Sequence, residues 1–222
     1  MRNIKIPGLI HTASINTIFC IGRNYADHAK ELNNAVPEVP VVFNKPINSV
    51  TYDGAEILIP ENLTKDVHHE VEMVVAISKY GKCIPADKAM DYVLGYGIGI
   101  DVTARDVQSK LKEKSQPWTL AKGMDTFAPI GNFVKKEAVE NPHKLNLQLS
   151  VNGEIKQKGN TADMLFSVPA LIAFISEYCA LNKGDLIFTG TPKGVGKISD
   201  GDIIKASLGD NLSALEVSVR AI

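Results

Sequence analysis

Hydrophobic positions along the chain fall into short runs cut by glycine and proline, and few stretches carry a helical period. An apolar run from Ile15 to Ile21 meets Gly22, and Asn24 to Leu32 then has the Ala, Lys, Glu and Leu content of a short helix. Val41 to Phe43 and Ile57 to Ile59 read as short strands bounded by Pro40, Pro46, Gly54 and Pro60. Val67 to Ile77 reads as one longer strand, and Leu94 to Val102 as another. Helices are predicted over Pro85 to Tyr92, with proline in the first turn, and around Arg105 to Lys114. Leu145, Leu147, Leu149 and Val151 alternate with Asn146, Gln148 and Ser150 and then meet Asn152-Gly153, a dipeptide favoured in two-residue hairpin turns. Ser167 to Leu181 carries a further helix with Pro169 near its start, and Asp185 to Phe188, Ile203 to Leu208 and Leu215 to Val219 supply three more strands. Many short strands, three or four helices and no regular βαβ alternation predict a β-rich α+β fold rather than a doubly wound sheet.

Composition narrows the class. The 222 residues fit one domain, 1–222, with no internal repeat and no low-complexity linker. Lys plus Arg (24) and Asp plus Glu (25) nearly cancel, so no basic field exists to neutralise a nucleic acid or an anionic membrane. The apolar runs are far shorter than the roughly 20 residues that cross a bilayer, and Met1 to Lys5 lacks a signal-type apolar core. A soluble, cytoplasmic protein is the expectation. Cys20, Cys83 and Cys179 are odd in number and widely spaced, which argues against a disulfide framework or a zinc knuckle and predicts reduced, mostly buried thiols.

Candidate chemistry concentrates in His68-His69-Glu70-Val71-Glu72-Met73-Val74. On a strand, Glu70 and Glu72 share a face, about 7 Å apart at two residues of roughly 3.3 Å rise, and that face continues as Val74 and Ala76. Two acids in that place are either solvated at a sheet edge or gathered on a hard cation. Gly95-Tyr96-Gly97-Ile98-Gly99-Ile100-Asp101 adds a third carboxylate at the end of an apolar, glycine-rich strand, and an all-oxygen set suits Mg²⁺ or Mn²⁺ better than zinc. His68 falls on the same face, as a neighbour of the acids or a surface residue rather than a ligand, and His69 points away. His28 and Glu31, at i and i+3 on the first helix, are either a surface contact or a general base with its orienting carboxylate. Lys122 stands as a lone charge between Trp118 and Gly123. The glycines at 95, 97 and 99 and the run Thr191 to Ile198 miss the spacing of dinucleotide and phosphate loops, which excludes NAD and ATP.

Taken together, Ile21-Gly22-Arg23-Asn24-Tyr25-Ala26-Asp27-His28-Ala29-Lys30-Glu31-Leu32, His68 to Glu72, Gly99 to Gln108, Trp118 to Gly123 and Thr189 to Gly196 resemble the fumarylacetoacetate hydrolase family, in particular its short members of the acylpyruvate hydrolase and oxaloacetate decarboxylase type. The resemblance implies a mixed β-sandwich roll, usually a homodimer, with Mg²⁺ or Mn²⁺ on Glu70, Glu72 and Asp101. It further implies a catalytic dyad of His28 and Glu31, a substrate contact at Lys122, and Arg105, Gln108 and Thr191 on the 2-oxo-carboxylate of a small substrate. The implied reactions are C–C hydrolysis of acylpyruvates and decarboxylation of oxaloacetate. Isomerisation or keto–enol tautomerisation is the alternative within the family, and non-catalytic binding of a metal and small acid the alternative outside it.

Overall fold

The computed structural model describes residues 2–7, 13–31, 35–210 and 212–222. The Val71–Ile77 strand lies at its centre, and every one of its residues is buried. It pairs antiparallel with Val93–Ile100 on one side and with Leu186–Phe188 on the other. The large mixed sheet runs in the order Val41–Lys45, Ile18–Gly22, Leu186–Phe188, Val71–Ile77, Val93–Ile100, Ala128–Ile130, Val50–Tyr52, with Val134–Lys135 also on the edge of Val93–Ile100. A five-stranded sheet is ordered Glu154–Asn160, Asn146–Val151, Ile203–Leu208, Ser213–Ala221, Glu56–Ile59. Period-two alternation explains how the two meet. Val71, Met73, Val75 and Ile77 pack with Tyr96 and Ile98 against Leu147, Leu149, Val217 and the helix Val168–Tyr178. Val74 and Ala76, on the opposite face, pack with Ile18, Phe133, Phe188 and the N-terminal Ile4 and Ile6. Because both faces are covered, the central strands read as continuous apolar runs.

The helices are α1 (Ala26–Glu31), α2 (Arg105–Glu113), α3 (Thr119–Lys122) and α4 (Val168–Tyr178). The last residue of the predicted first helix, Leu32, lies outside the described residues. The hairpin at Asn152-Gly153 forms as predicted, with φ of 52° and 84° at the two turn residues, the pair of positive values that matches strand twist. Over Pro85 to Tyr92 the helix is a 3₁₀ helix, Ala86–Tyr92, rather than an α-helix. Lys122 sits at the end of α3. The glycines of the 95–99 strand accommodate protein. A Cβ on Gly95 would lie 2.1 Å from the Val134 carbonyl oxygen, and one on Gly99 would strike Phe188 and Val74. Only Cys20 of the three free thiols is buried; Cys83 and Cys179 are exposed, so the expectation of mostly buried cysteines is corrected. Among the described residues no helix is long and apolar enough to cross a membrane.

The predicted Val67–Ile77 strand is broken at Glu70. Val67–His69 belongs to a separate three-stranded sheet with Thr103–Ala104 and Gly196–Lys197, while Val71 onward joins the central sheet. The break has a hydrogen-bonding cause. The Val71 N–H donates to the Gln157 side chain at 3.0 Å, and the Glu70 carbonyl accepts from the Asp101 N–H at 2.8 Å, so neither group continues a regular ladder.

Candidate metal centre and catalytic pocket

That break is what gathers the acids. Glu72 sits opposite Gly99 in the register, and Asp101 follows two residues later, tied by its own N–H to the Glu70 carbonyl. Glu70, Glu72 and Asp101 are all buried and each offers an oxygen within 4.8 Å of the others. Lys122, at the end of α3, places Nζ 2.8 Å from Glu70 Oε2 and 2.6 Å from Asp101 Oδ2. Arg105, the first residue of α2, reaches Glu70 Oε1 at 2.5 Å and donates from its other terminal nitrogen to Gln108 Oε1 at 2.8 Å. Glu72 has no cation partner among the described residues, and its Oε2 accepts only the Gly190 N–H, at 2.7 Å.

The charges shape one another. Burial pushes the Glu70 carboxyl up, but Lys122, Arg105 and His28 outweigh it and hold the group well below the ordinary range. Burial, with Asp101 and Glu70 as like charges, drives Glu72 well above that range. Burial depresses Lys122, yet Asp101 and Glu70 prevail and raise it, so it stays an ammonium and supplies charge rather than acting as a base. The donor set fits a hard divalent cation. It is all oxygen, it is buried, and Glu72 lacks a cation partner among the described residues.

His28 is buried on α1, with Nδ1 3.3 Å from Glu31 Oε2. The Glu31 carboxylate is itself fixed by the Gly194 N–H, at 3.0 Å and 3.2 Å to its two oxygens. Thr191 Oγ1 accepts from Gln157 Nε2 at 2.8 Å. One cavity is lined by His28, Glu70, Glu72, Asp101, Arg105, Gln108, Lys122 and Thr191, and Glu31 stands behind His28 rather than on the wall. His68, placed by simple alternation on the face of the acids, instead pairs with Asp66 at 3.0 Å and stays off the cavity. His69 turns away as predicted, against Gln157 at 2.9 Å.

Three residues near this centre escape sequence reasoning. Lys45 is fully buried, 2.7 Å from Asp101 Oδ1, and donates to the carbonyls of Val102 at 3.0 Å, Phe127 at 2.8 Å and Lys122. A lysine closing the apolar run before Pro46 was its only local signal. Gln157 bonds Val71, His69, Thr191 and Pro192 at once, from a hairpin strand where it looks like any exposed polar residue. Buried Asn24 bridges to Phe166 and Thr189.

Residues 17–220 match the fumarylacetoacetate (FAA) hydrolase C-terminal family. The chain belongs to the fumarylacetoacetate hydrolase family. Its relatives in this family include the oxaloacetate tautomerase FAHD1, mitochondrial, of Mus musculus, 46% identical over 203 residues that cover 91% of each chain. The oxaloacetate decarboxylase, mitochondrial, of Dictyostelium discoideum is 49% identical over 192 residues, 86% of this chain and 88% of that one. Among solved structures, a fumarylpyruvate hydrolase from Pseudomonas aeruginosa in complex with Mn²⁺ and pyruvate superposes with a TM-score of 0.93 at 35% identity, covering 99% of this chain and 96% of that chain. The fumarylacetoacetate hydrolase fold is thus a strand-rich mixed α+β fold here, as predicted, and the chain is an enzyme. The cytoplasmic expectation is corrected, because the tautomerase and decarboxylase relatives are named mitochondrial. The apolar-core criterion tests for a secretory signal, whereas mitochondrial targeting segments are amphipathic and arginine-rich, so it had no bearing on that compartment.

Proposed function

We propose that this chain acts on oxaloacetate, and on small 2-oxo acids of its kind, by shifting a proton at the carbon next to the keto group. The observation that carries the reading is the meeting, in one cavity, of a buried three-carboxylate set with a carboxylate-oriented histidine and a buried lysine. The near-half identity to an oxaloacetate tautomerase and an oxaloacetate decarboxylase supports the substrate. A Mg²⁺ or Mn²⁺ ion held by Glu70, Glu72 and Asp101 would polarise the 2-oxo group and stabilise negative charge on its oxygen.

The chain's own residues do the rest. Glu31 accepts a hydrogen bond from the Nδ1–H of His28, which leaves Nε2 with its lone pair as the base toward the substrate. In tautomerisation His28 takes a proton from C3, the electron pair of that C–H bond passes into the C2–C3 bond, and the imidazolium gives the proton to the C2 oxygen, which yields the enol and regenerates the base. In decarboxylation the C3–C4 bond breaks, CO₂ leaves, and its electron pair passes into the C2–C3 enolate. Lys122 sets a fixed positive charge beside that oxygen. Arg105, Gln108 and Thr191 are the donors on the cavity wall that suit the 2-oxo-carboxylate. A second reading, hydrolysis of acylpyruvates with His28 activating water, is favoured by the likeness to the Pseudomonas fumarylpyruvate hydrolase.

The test is a Mg²⁺-supplemented panel of oxaloacetate, acetylpyruvate and fumarylpyruvate, following both enol absorbance and pyruvate release. Oxaloacetate is expected to turn over fastest, with activity lost to EDTA, restored by Mg²⁺ or Mn²⁺, and absent in Glu70→Ala. Full activity after thorough chelation, or no turnover of any member, would overturn the reading.

A further inference from the structure

The same cavity carries positive charge that the acids do not consume. Arg105 and Lys122 are engaged by Glu70 and Asp101. Arg23 and Lys112 also line the wall, and neither has an acidic partner among the described residues. Arg23 is half-buried, and among the described residues its side chain makes no hydrogen bond or ion pair. Lys112 lies over the Trp118 ring at 5.4 Å, and Trp118 packs edge-on against Phe43, so the two cations stand beside a partly apolar wall where charge is weakly screened. Burial, then Arg23, Arg105 and Lys122 in turn, lower the Lys112 pKa, as expected of like charges crowded around one space.

The Arg23 backbone adds an independent observation. Its φ is +60°, a left-handed conformation that disfavours any residue with a Cβ. The turn is clamped by its neighbour Asn24, which donates to the Thr189 carbonyl at 2.8 Å and accepts the Phe166 N–H at 2.7 Å. Among the described residues no hydrogen bond, ion pair or ring contact uses the Arg23 side chain, and a glycine would take this conformation with less strain. The residue is therefore justified by what its side chain meets in the cavity.

We infer that Arg23, with Lys112 beside it, seats the distal carboxylate of a dicarboxylic 2-oxo acid, so that the cavity selects such acids over monocarboxylic ones. This rests on the 2-oxo acid reading above. With the 2-oxo-carboxylate end at the three acids, the second carboxylate has two cations to meet that are in no ion pair among the described residues.

Pyruvate is oxaloacetate without that distal carboxylate, and oxalate binds through adjacent oxygens alone, so together they isolate the subsite. The experiment measures the oxaloacetate KM and kcat, and calorimetric Kd values for oxalate and pyruvate, on the Mg²⁺-loaded protein and on Arg23→Met, Arg23→Lys and Lys112→Met. Arg23→Met should raise the oxaloacetate KM at least tenfold with kcat within threefold, Lys112→Met should raise it about threefold, and Arg23→Lys should recover part of the loss. Oxalate and pyruvate Kd values should stay within twofold, and the thermal midpoint of Arg23→Met should not fall. An unchanged oxaloacetate KM in Arg23→Met, or an equal loss of oxalate affinity, would overturn the subsite. If the wild type turns over no 2-oxo acid, the functional reading fails by itself. Calorimetry then decides the subsite: a preference for oxaloacetate over pyruvate that Arg23→Met erases upholds it, and equal affinities overturn it.

Discussion

Lys45 offers a quantitative test of how this centre is built. The ammonium has no exposed surface, lies 2.7 Å from Asp101 Oδ1 and donates to the carbonyls of Val102, Phe127 and Lys122. Lys45→Met keeps the length and bulk of the side chain, so little cavity forms, and removes the charge. Asp101 retains Lys122 at 2.6 Å, and the Phe127 carbonyl retains the Val102 N–H at 3.1 Å. Breaking a buried ion pair from one side costs about 3–5 kcal/mol. The surviving partners place the expected loss near the lower end, at about 3 kcal/mol. For a chain of this length each kcal/mol moves the thermal midpoint by roughly 2–4 °C, so a fall of about 6–12 °C is expected. Thermal unfolding followed by circular dichroism in EDTA measures it, with urea unfolding giving the free energy directly. A double-mutant cycle with Asp101→Asn separates the pair from the carbonyls, and the double variant should lose at least about 1 kcal/mol less than the two single losses combined. A Lys45→Met loss below about 1 kcal/mol, or strict additivity in the cycle, would refute the assignment of Lys45 as the support of Asp101.

Two further outcomes follow from the same geometry. Glu72 is raised well above the ordinary 4.5, so between that value and its own the native state holds a proton that the unfolded chain has released; metal-free stability should fall as pH rises through this window, Glu72→Gln should remove the slope, and a urea midpoint that is flat with pH in the wild type would contradict it. Gly95→Ala should cost about 3 kcal/mol in urea unfolding, because its Cβ would lie 2.1 Å from a backbone oxygen that cannot swing aside as a side chain would; a loss under about 1 kcal/mol would show that the strand at 134–135 yields.

What the sequence discloses here is set by how local the cause is. The hairpin at Asn152-Gly153, the helix around Val168–Tyr178 and the alternation of Leu147, Leu149 and Val151 are fixed by neighbours within a few positions, and each forms where the pattern places it. The break at Glu70 is not local. It is caused by Gln157, 86 positions from Val71, and by Asp101, so strand periodicity carried Val67 straight through to Ile77. His68 was misplaced for the same reason, since its predicted face assumed an unbroken strand. Glu70 and Glu72 survive because the interruption falls at Glu70 itself and their oxygens still converge with Asp101 within 4.8 Å. His28 and Glu31 were legible as an i, i+3 pair, but Gly194, which fixes the carboxylate, was not. Lys45 and Arg23 carry no periodic signature, because their roles arise only when distant strands and loops close around them.

The arithmetic of charge then explains why such a buried centre is tolerated and what it is suited to receive. Glu70, Glu72 and Asp101, when ionised, are balanced in number by Lys45, Lys122 and Arg105, and five of these six are almost wholly enclosed while Arg105 is half-buried. A neutral cluster avoids the penalty of isolated buried ions. A divalent cation added to it brings two uncompensated positive charges into a region of low dielectric, where an excess charge is strongly felt. A dicarboxylic 2-oxo acid brings two negative charges to the same cavity. With Arg23 and Lys112 also on the wall the excess is positive, and a dicarboxylate offsets more of it than a monocarboxylate does. Coupling between the cation and the acid is reciprocal by thermodynamic necessity, so a site balanced in this way binds its metal more firmly when the dianion is present and its dianion more firmly when the metal is. The near-zero charge of the whole chain is uninformative on this point; the balance that matters is struck among the charged side chains of one cavity.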